Sequence, residues 1–218
     1  MRLQLALDTG LKKGLNISKK VSDYVDIIEI GTPLIKKEGS KVVKKFKKFK
    51  KPIMADLKTM DTGFIEAEIA FQAGGDIASV LGVSDIDTIK GAIKAAKKYK
   101  KKILVDLINL KDKNKIKNII GLKPDYICVH KGIDMQNKGE EPFEDFRKVK
   151  RILDKLRKLG ENKKTKLCIA GGICLENIDK VIKEKPDVVI IGGAITKSKN
   201  PGDIAKQLNN KIGIMKWG

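Results

Sequence analysis

Eight short apolar runs recur along the chain at nearly even spacing, and Lys-rich segments fill the gaps between them. The runs are LQLALD (3–8), VDIIEI (25–30), PIMAD (52–56), DIASVL (76–81), KILVDL (102–107), DYICVH (125–130), KLCIAG (166–171) and DVVIIG (187–192). Between them the apolar residues fall at helical spacing, as in Ile86, Ile89 and Ile93, or Val149, Ile152, Leu153 and Leu156. Helix starts are expected at Ser84 or Asp85, and at Asn200 ahead of Pro201. Strands that alternate with helices make a parallel sheet. Eight such units predict an α/β fold, a single (β/α)8 barrel domain over residues 1–218, although such barrels more often take ~250 residues. An open doubly wound sheet would want a glycine-rich phosphate fingerprint in its first turn, and Asp8-Thr9-Gly10-Leu11 is not one. Only the interval between the sixth and seventh runs is long. Part of it is the polar stretch KGIDMQNKGEEPFED (131–145), a candidate lid.

Charge narrows the function classes. The formal net charge is +20, from 47 basic and 27 acidic residues, which suits nucleic acid, an acidic surface or an anionic substrate. The lysines come as doublets along nearly every expected helix (Lys12-Lys13, Lys44-Lys45, Lys97-Lys98) rather than gathered beside stacking aromatics. That pattern describes a solvated shell that steers phosphorylated metabolites, not a specific nucleic-acid surface. Cys128, Cys168 and Cys174 are odd in number and lack CxxC spacing, so neither a disulfide nor a zinc site is expected. The apolar start reaches Asp8 too soon for a signal peptide, and no run approaches membrane-spanning length, so a cytoplasmic protein without membrane contact is expected.

The active site of a (β/α)8 barrel lies where the strands end. Here those ends carry Asp8, Glu29, Asp56 with Lys58, Asp106 and His130, the only histidine in the chain. If residues 52–58 are extended, Asp56 and Lys58 face the same side. Glu29 stands among isoleucines, where a lone carboxylate is costly. With Asp56 it forms a hard oxygen pair suited to Mg2+, or to Mn2+. His130, at a strand end ahead of the candidate lid, is a candidate general base. Asp8 and Asp106 either cap the helices that follow or hold Lys58. Gly171-Gly172 and Gly192-Gly193 end the seventh and eighth runs, the usual phosphate location in such barrels.

Asp56-x-Lys58-x-x-Asp61 after a strand, with Glu29 one strand earlier, resembles the orotidine-monophosphate-decarboxylase-like barrel superfamily. Within it, EIGTPLI, MADLKTMDTG, SVLGVSD, ICVHKGID and IIGGAIT are similar to the 3-hexulose-6-phosphate synthase family. The resemblance implies a magnesium-dependent aldehyde-lyase that adds formaldehyde reversibly to ribulose 5-phosphate through an enediolate. It implies catalytic roles for His130, Lys58, Asp61 and Asp8, with Glu29 and Asp56 on the metal and Asp106 in support. It also implies phosphate on the two glycine pairs, and a homodimer in which Asp61 crosses into the partner's site. The sister decarboxylases of 3-keto-gulonate 6-phosphate usually carry an arginine where this chain has Ile133. A Schiff-base aldolase would need Lys58 neutral, against two flanking carboxylates. A non-enzymatic polyanion-binding protein is the contrasting class.

Overall fold

The computed structural model describes residues 1–136 and 142–214. Eight parallel strands, β1 (Arg2–Leu7), β2 (Ile27–Ile30), β3 (Ile53–Thr59), β4 (Ile77–Leu81), β5 (Lys102–Asp106), β6 (Tyr126–His130), β7 (Lys166–Ala170) and β8 (Val188–Ile191), close into one barrel in chain order. Outside them run α1 (Leu11–Val21), α2 (Thr32–Glu38), α3 (Val42–Phe46), α4 (Gly63–Gln72), α5 (Ile86–Tyr99) and α6 (Lys113–Gly121). The second half adds α7 (Ile133–Gln136), α8 (Phe143–Lys158), α9 (Ile178–Lys183), α10 (Gly193–Thr196) and α11 (Pro201–Ile214). The expected (β/α)8 barrel is the fold observed.

Strand parity divides the core in two. One set of side chains, including Leu5, Ile28, Ile53, Ala78, Ile103 and Val189, packs outward against the helices. The other, Ala6, Ile27, Met54, Ile77, Leu104, Tyr126, Cys128, Cys168, Ala170, Val188 and Ile190, fills the barrel interior. Cys128 and Cys168 face each other across β6 and β7 as free, buried thiols. Burial pushes both above the ordinary thiol range, so they pack as small hydrophobes.

An aspartate just before each even-numbered strand ties down the odd-numbered strand before it. Asp26, Asp76, Asp125 and Asp187 accept from the main-chain N–H groups of Leu3, Ile53, Ile103 and Leu167 at 2.8, 3.0, 3.0 and 2.7 Å. These amides open their strands, where a buried donor needs a partner. Asp85 caps α5 through the Asp87 N–H, as expected for one of the two candidate caps.

The long sixth interval is taken up largely by α8, with 16 residues. The candidate lid enters through α7 and leaves into α8, and its residues 137–141 lie outside the described residues. α4 departs from amphipathic form: Ala67, Ala70 and Phe71 are buried, yet Ile65 and Ile69 on its outer side are exposed, as is Met60 before it. Gly63 opens this helix against α5, where an added Cβ would stand 1.9 Å from the Thr88 carbonyl oxygen.

Candidate active site

Near their C-terminal ends the strands gather ionisable residues on the interior face. Continuing the inward parity from Met54 leads to Asp56, from Ile27 to Glu29, from Ile77 to Ser79, from Leu104 to Asp106, and from Cys128 to His130. Glu29, Asp56, Ser79 and Asp106 are buried, and the His130 side chain is 18% exposed.

β3 reaches Lys58 through an irregularity rather than as an extended strand. Ala55 pairs with Ala78 and Thr59 with Val80, so β3 advances four residues while β4 advances two. Lys58 sits at φ 49°, left-handed, which corrects the expectation of extended backbone through residue 58. The bulge is pinned by Ser79, whose Oγ accepts from the Lys58 N–H at 3.0 Å and donates to Asp56 Oδ1 at 2.7 Å. The two side chains still meet, with Lys58 Nζ 2.7 Å from Asp56 Oδ2.

From there the network crosses the barrel. Lys58 Nζ lies 3.2 Å from Asp106 Oδ2, and the same oxygen lies 2.8 Å from His130 Nδ1. Burial alone would discharge the Lys58 ammonium, but Asp56 and Asp106 outweigh it and hold the group above the ordinary lysine range. Burial likewise works against the Asp106 carboxylate, and His130 and Lys58 overcome it, leaving Asp106 below the usual carboxylate range. With Asp106 ionised, Nδ1 is the donor in this contact, and in the neutral imidazole the lone pair then lies on Nε2. Asp106 caps no helix: its second oxygen accepts from the Ile108 N–H at 3.0 Å, and α6 is capped by Asp112.

Glu29 is placed differently. Its Oε2 accepts from the Gln4 amide at 2.6 Å, the one hydrogen bond to its side chain among the described residues. Burial and then the Asp56 charge push its carboxyl well above the ordinary range. Asp56 is also held by Thr32, whose hydroxyl lies 2.8 Å from Oδ2. Asp8 is open to solvent on one side, and loss of water around its carboxyl, then Asp56, push it above the usual range. It does not cap α1, whose N-cap is Gly10. Its carboxylate fills the space over Gly31, where an added Cβ would stand 2.1 Å from Asp8 Oδ1.

Four carboxylates thus share one lysine. Among the described residues no group of three or more His, Cys, Asp or Glu side chains forms a ready metal cage. The pair Glu29 and Asp56 nevertheless fits a hard cation, because the Asp56 charge acts on Glu29 while Lys58 is engaged by Asp56 and Asp106.

Asp61 stands apart from this cluster. It is exposed, and its Oδ1 accepts from the Thr62 N–H at 2.7 Å; the acids beside Lys58 are Asp56 and Asp106. Gly171 and Gly172 turn left-handed at φ 107° and 65°, and Asn177 braces them by donating to the Gly172 carbonyl at 3.0 Å. Gly193 opens α10, where an added Cβ would meet only the Lys197 side chain, at 3.9 Å. Neither backbone strain nor crowding demands glycine there.

Gln4, Thr32 and Ser79 were not among the residues expected at the site. For Gln4 and Ser79 the signal was parity: each lies an even number of residues from an interior-facing neighbour, Ala6 and Ile77.

The family model described as Orotidine 5'-phosphate decarboxylase / HUMPS family matches residues 1–208, and the chain belongs to that family. A 3-hexulose-6-phosphate synthase of Bacillus subtilis (strain 168) is 44% identical over 216 residues, covering 97% of this chain and 99% of the relative. The crystal structure of 3-hexulose-6-phosphate synthase from Salmonella typhimurium superposes with a TM-score of 0.87 at 36% identity, covering 97% of this chain and 98% of that one. That of 3-keto-L-gulonate-6-phosphate decarboxylase from Vibrio cholerae gives 0.82 at 25% identity, covering 98% and 97%.

Proposed function

We propose that this barrel catalyses the reversible aldol addition of formaldehyde to ribulose 5-phosphate, giving D-arabino-3-hexulose 6-phosphate. The observation that carries the reading is the Asp106 carboxylate shared between Lys58 and His130, set beside the buried pair Glu29 and Asp56. The higher identity to synthases, 44% and 36% against 25% for the decarboxylase, supports addition over decarboxylation.

In this reading His130 Nε2 removes a C1 proton from the hydroxyketone, with Asp106 stabilising the imidazolium that forms. Lys58, held cationic, supplies fixed positive charge where the enediolate develops. C1 then attacks the formaldehyde carbon, and the proton returns to the new alkoxide, which becomes the hydroxyl of the added carbon. Glu29 and Asp56 would hold Mg2+, or Mn2+. When bound, the cation supplies Lewis-acid polarisation of the adjacent oxygens of the sugar. Asp8 lines the same mouth and orients substrate. Gly171-Gly172 and Gly192-Gly193 bind the phosphate by main-chain N–H groups and so fix the reacting end.

Exchange of the ribulose 5-phosphate C1 proton with D2O, followed by NMR without formaldehyde, tests the base. The parent exchanges it and His130→Ala does not; equal exchange by both overturns the assignment.

A homodimer belongs to the same reading. The exposed apolar face of Met60, Ile65 and Ile69 flanks Asp61 and supports a second copy covering it, with Asp61 entering the partner's site. Mixed Asp61→Ala and Lys58→Ala subunits should then regain activity in part of the dimers; no recovery after proven subunit exchange counts against shared sites. Among the described residues no helix is long and apolar enough to cross a membrane, and a sugar phosphate substrate suits work in the cytoplasm.

A further inference from the structure

The barrel has a second concavity, at the end opposite the site described. A cavity of about 500 Å3 opens under the N-terminal ends of the strands, floored by Ile27, Ile77 and Tyr126 of the barrel interior. Tyr126 and His130 are four residues apart on β6, so cavity and candidate active site are separated by about 13 Å of strand.

Its wall is cationic. Asp76 is the one carboxylate in the lining and is already engaged, by Lys47 at 2.8 Å and Lys101 at 2.7 Å. Arg2 and Lys102 are both drawn over the Tyr126 ring, each 5.9 Å from its centre, and Arg2 also donates to the phenol oxygen at 3.1 Å. Lys50, Lys51 and Lys100 have no carboxylate partner among the described residues. Five cations therefore line one concave space without a counter-charge.

The backbone places two of these cations. Lys50 and Lys100 are left-handed, at φ 54° and 53°. The turns ahead of β4 and β7 use glycine for this conformation, Gly74 at φ 97° and Gly160 at φ 76°. Four turns that glycine would serve without strain carry lysines instead, Lys50, Lys100, Lys123 and Lys185, and the first two of these line the cavity, which fixes where their side chains leave the backbone.

We propose that this cavity binds an oligophosphate, either condensed inorganic phosphate or the triphosphate of a nucleotide. Its volume lies in the range of small-ligand sites, and unpaired ammonium and guanidinium groups suit phosphate oxygens. Tyr126, the one aromatic residue of the lining, is 2% exposed and already faced by two cations, so no ring is free to stack a base. The phosphate chain is the recognised group.

The test is calorimetric titration of the full chain with tripolyphosphate at 0.15 M salt. Lys50→Gly with Lys100→Gly removes two cations while relaxing their backbone, so folding is spared. Lys123→Gly with Lys185→Gly is the matched control, because those lysines are also left-handed, at φ 56° and 54°, and lie outside the cavity lining. The expected result is saturable binding of one tripolyphosphate per chain, weakened about tenfold or more by the cavity pair and little changed by the control pair. ATP should bind as tripolyphosphate does, and saturating ribulose 5-phosphate should displace neither. Equal weakening by both pairs would reduce the effect to net charge and overturn the proposal. So would displacement by ribulose 5-phosphate, binding of ATP without tripolyphosphate, or no saturable binding.

Discussion

Replacing Ser79 by alanine separates the support of the site from its chemistry. The hydroxyl joins a buried carboxylate to a partly buried amide: it donates to Asp56 Oδ1 at 2.7 Å and accepts from the Lys58 N–H at 3.0 Å. Losing a hydrogen bond to a carboxylate costs ~1.5–3 kcal/mol, and leaving an amide unpaired costs up to ~1–3 kcal/mol when fully buried, less for the partly buried Lys58 N–H. Water entering the small void offsets part of this, so a loss of about 3 kcal/mol is expected. For a chain of this size, ~2–4 °C is lost per kcal/mol, which predicts a melting point about 6–12 °C lower. The left-handed turn at Lys58 also loses its anchor, and a displacement on the ångström scale costs ~100-fold in rate; turnover should fall about 10- to 100-fold. Ser84→Ala is the control, since the Ser84 hydroxyl is buried but donates to the Leu81 carbonyl and bonds neither Asp56 nor Lys58. It should lower the melting point modestly and leave turnover intact. Thermal melts and initial rates of formaldehyde consumption decide the matter. A Ser79→Ala protein that melts and turns over like the parent would refute the role given to this bulge.

Three further outcomes are expected. Gly31→Ala places a Cβ 2.1 Å from Asp8 Oδ1 and 2.8 Å from the Leu7 carbonyl oxygen. It should displace Asp8, lowering kcat/KM at least about tenfold, with ~1–3 kcal/mol lost in denaturant titration; unchanged kinetics would remove Asp8 from the site. Lys58 is held above the ordinary lysine range, so its stabilising charge is fully present below pH ~10.4 and is lost only as pH rises through the higher folded value. Borohydride with ribulose 5-phosphate at neutral pH should therefore leave no mass adduct on Lys58, and an adduct would mean a Schiff base. Asp106 is held below the usual range, so its contribution is present above pH ~3.9 and fades as pH falls through the lower folded value. Asp106→Asn should accordingly make stability less dependent on pH in that acid window, as measured by urea unfolding.

The barrel was legible because one residue pattern repeated through the whole chain, with each apolar run becoming a strand within a few residues of its expected bounds. The mouth residues were legible because parallel strands all end on the same side. What escaped depended on parity and register. Gln4 sits inside an apolar run, and only its place two residues before Ala6 turns it inward toward Glu29. Lys58 meets Asp106, 48 residues away, because β3, β4 and β5 are adjacent and β3 bulges at that level. Asp61, only three residues from Lys58 in the chain, is exposed and accepts from the Thr62 N–H instead of pairing with Lys58. The left-handed lysines of the opposite face give no periodic signal, since a turn residue's φ is set by the elements it joins.

The most direct test of the central claim is formaldehyde consumption with ribulose 5-phosphate, with and without Mg2+, by the parent and by His130→Ala. The account predicts consumption by the parent that depends on both the sugar phosphate and the metal, and that His130→Ala loses. Consumption that His130→Ala retains, or none under any condition, would contradict it.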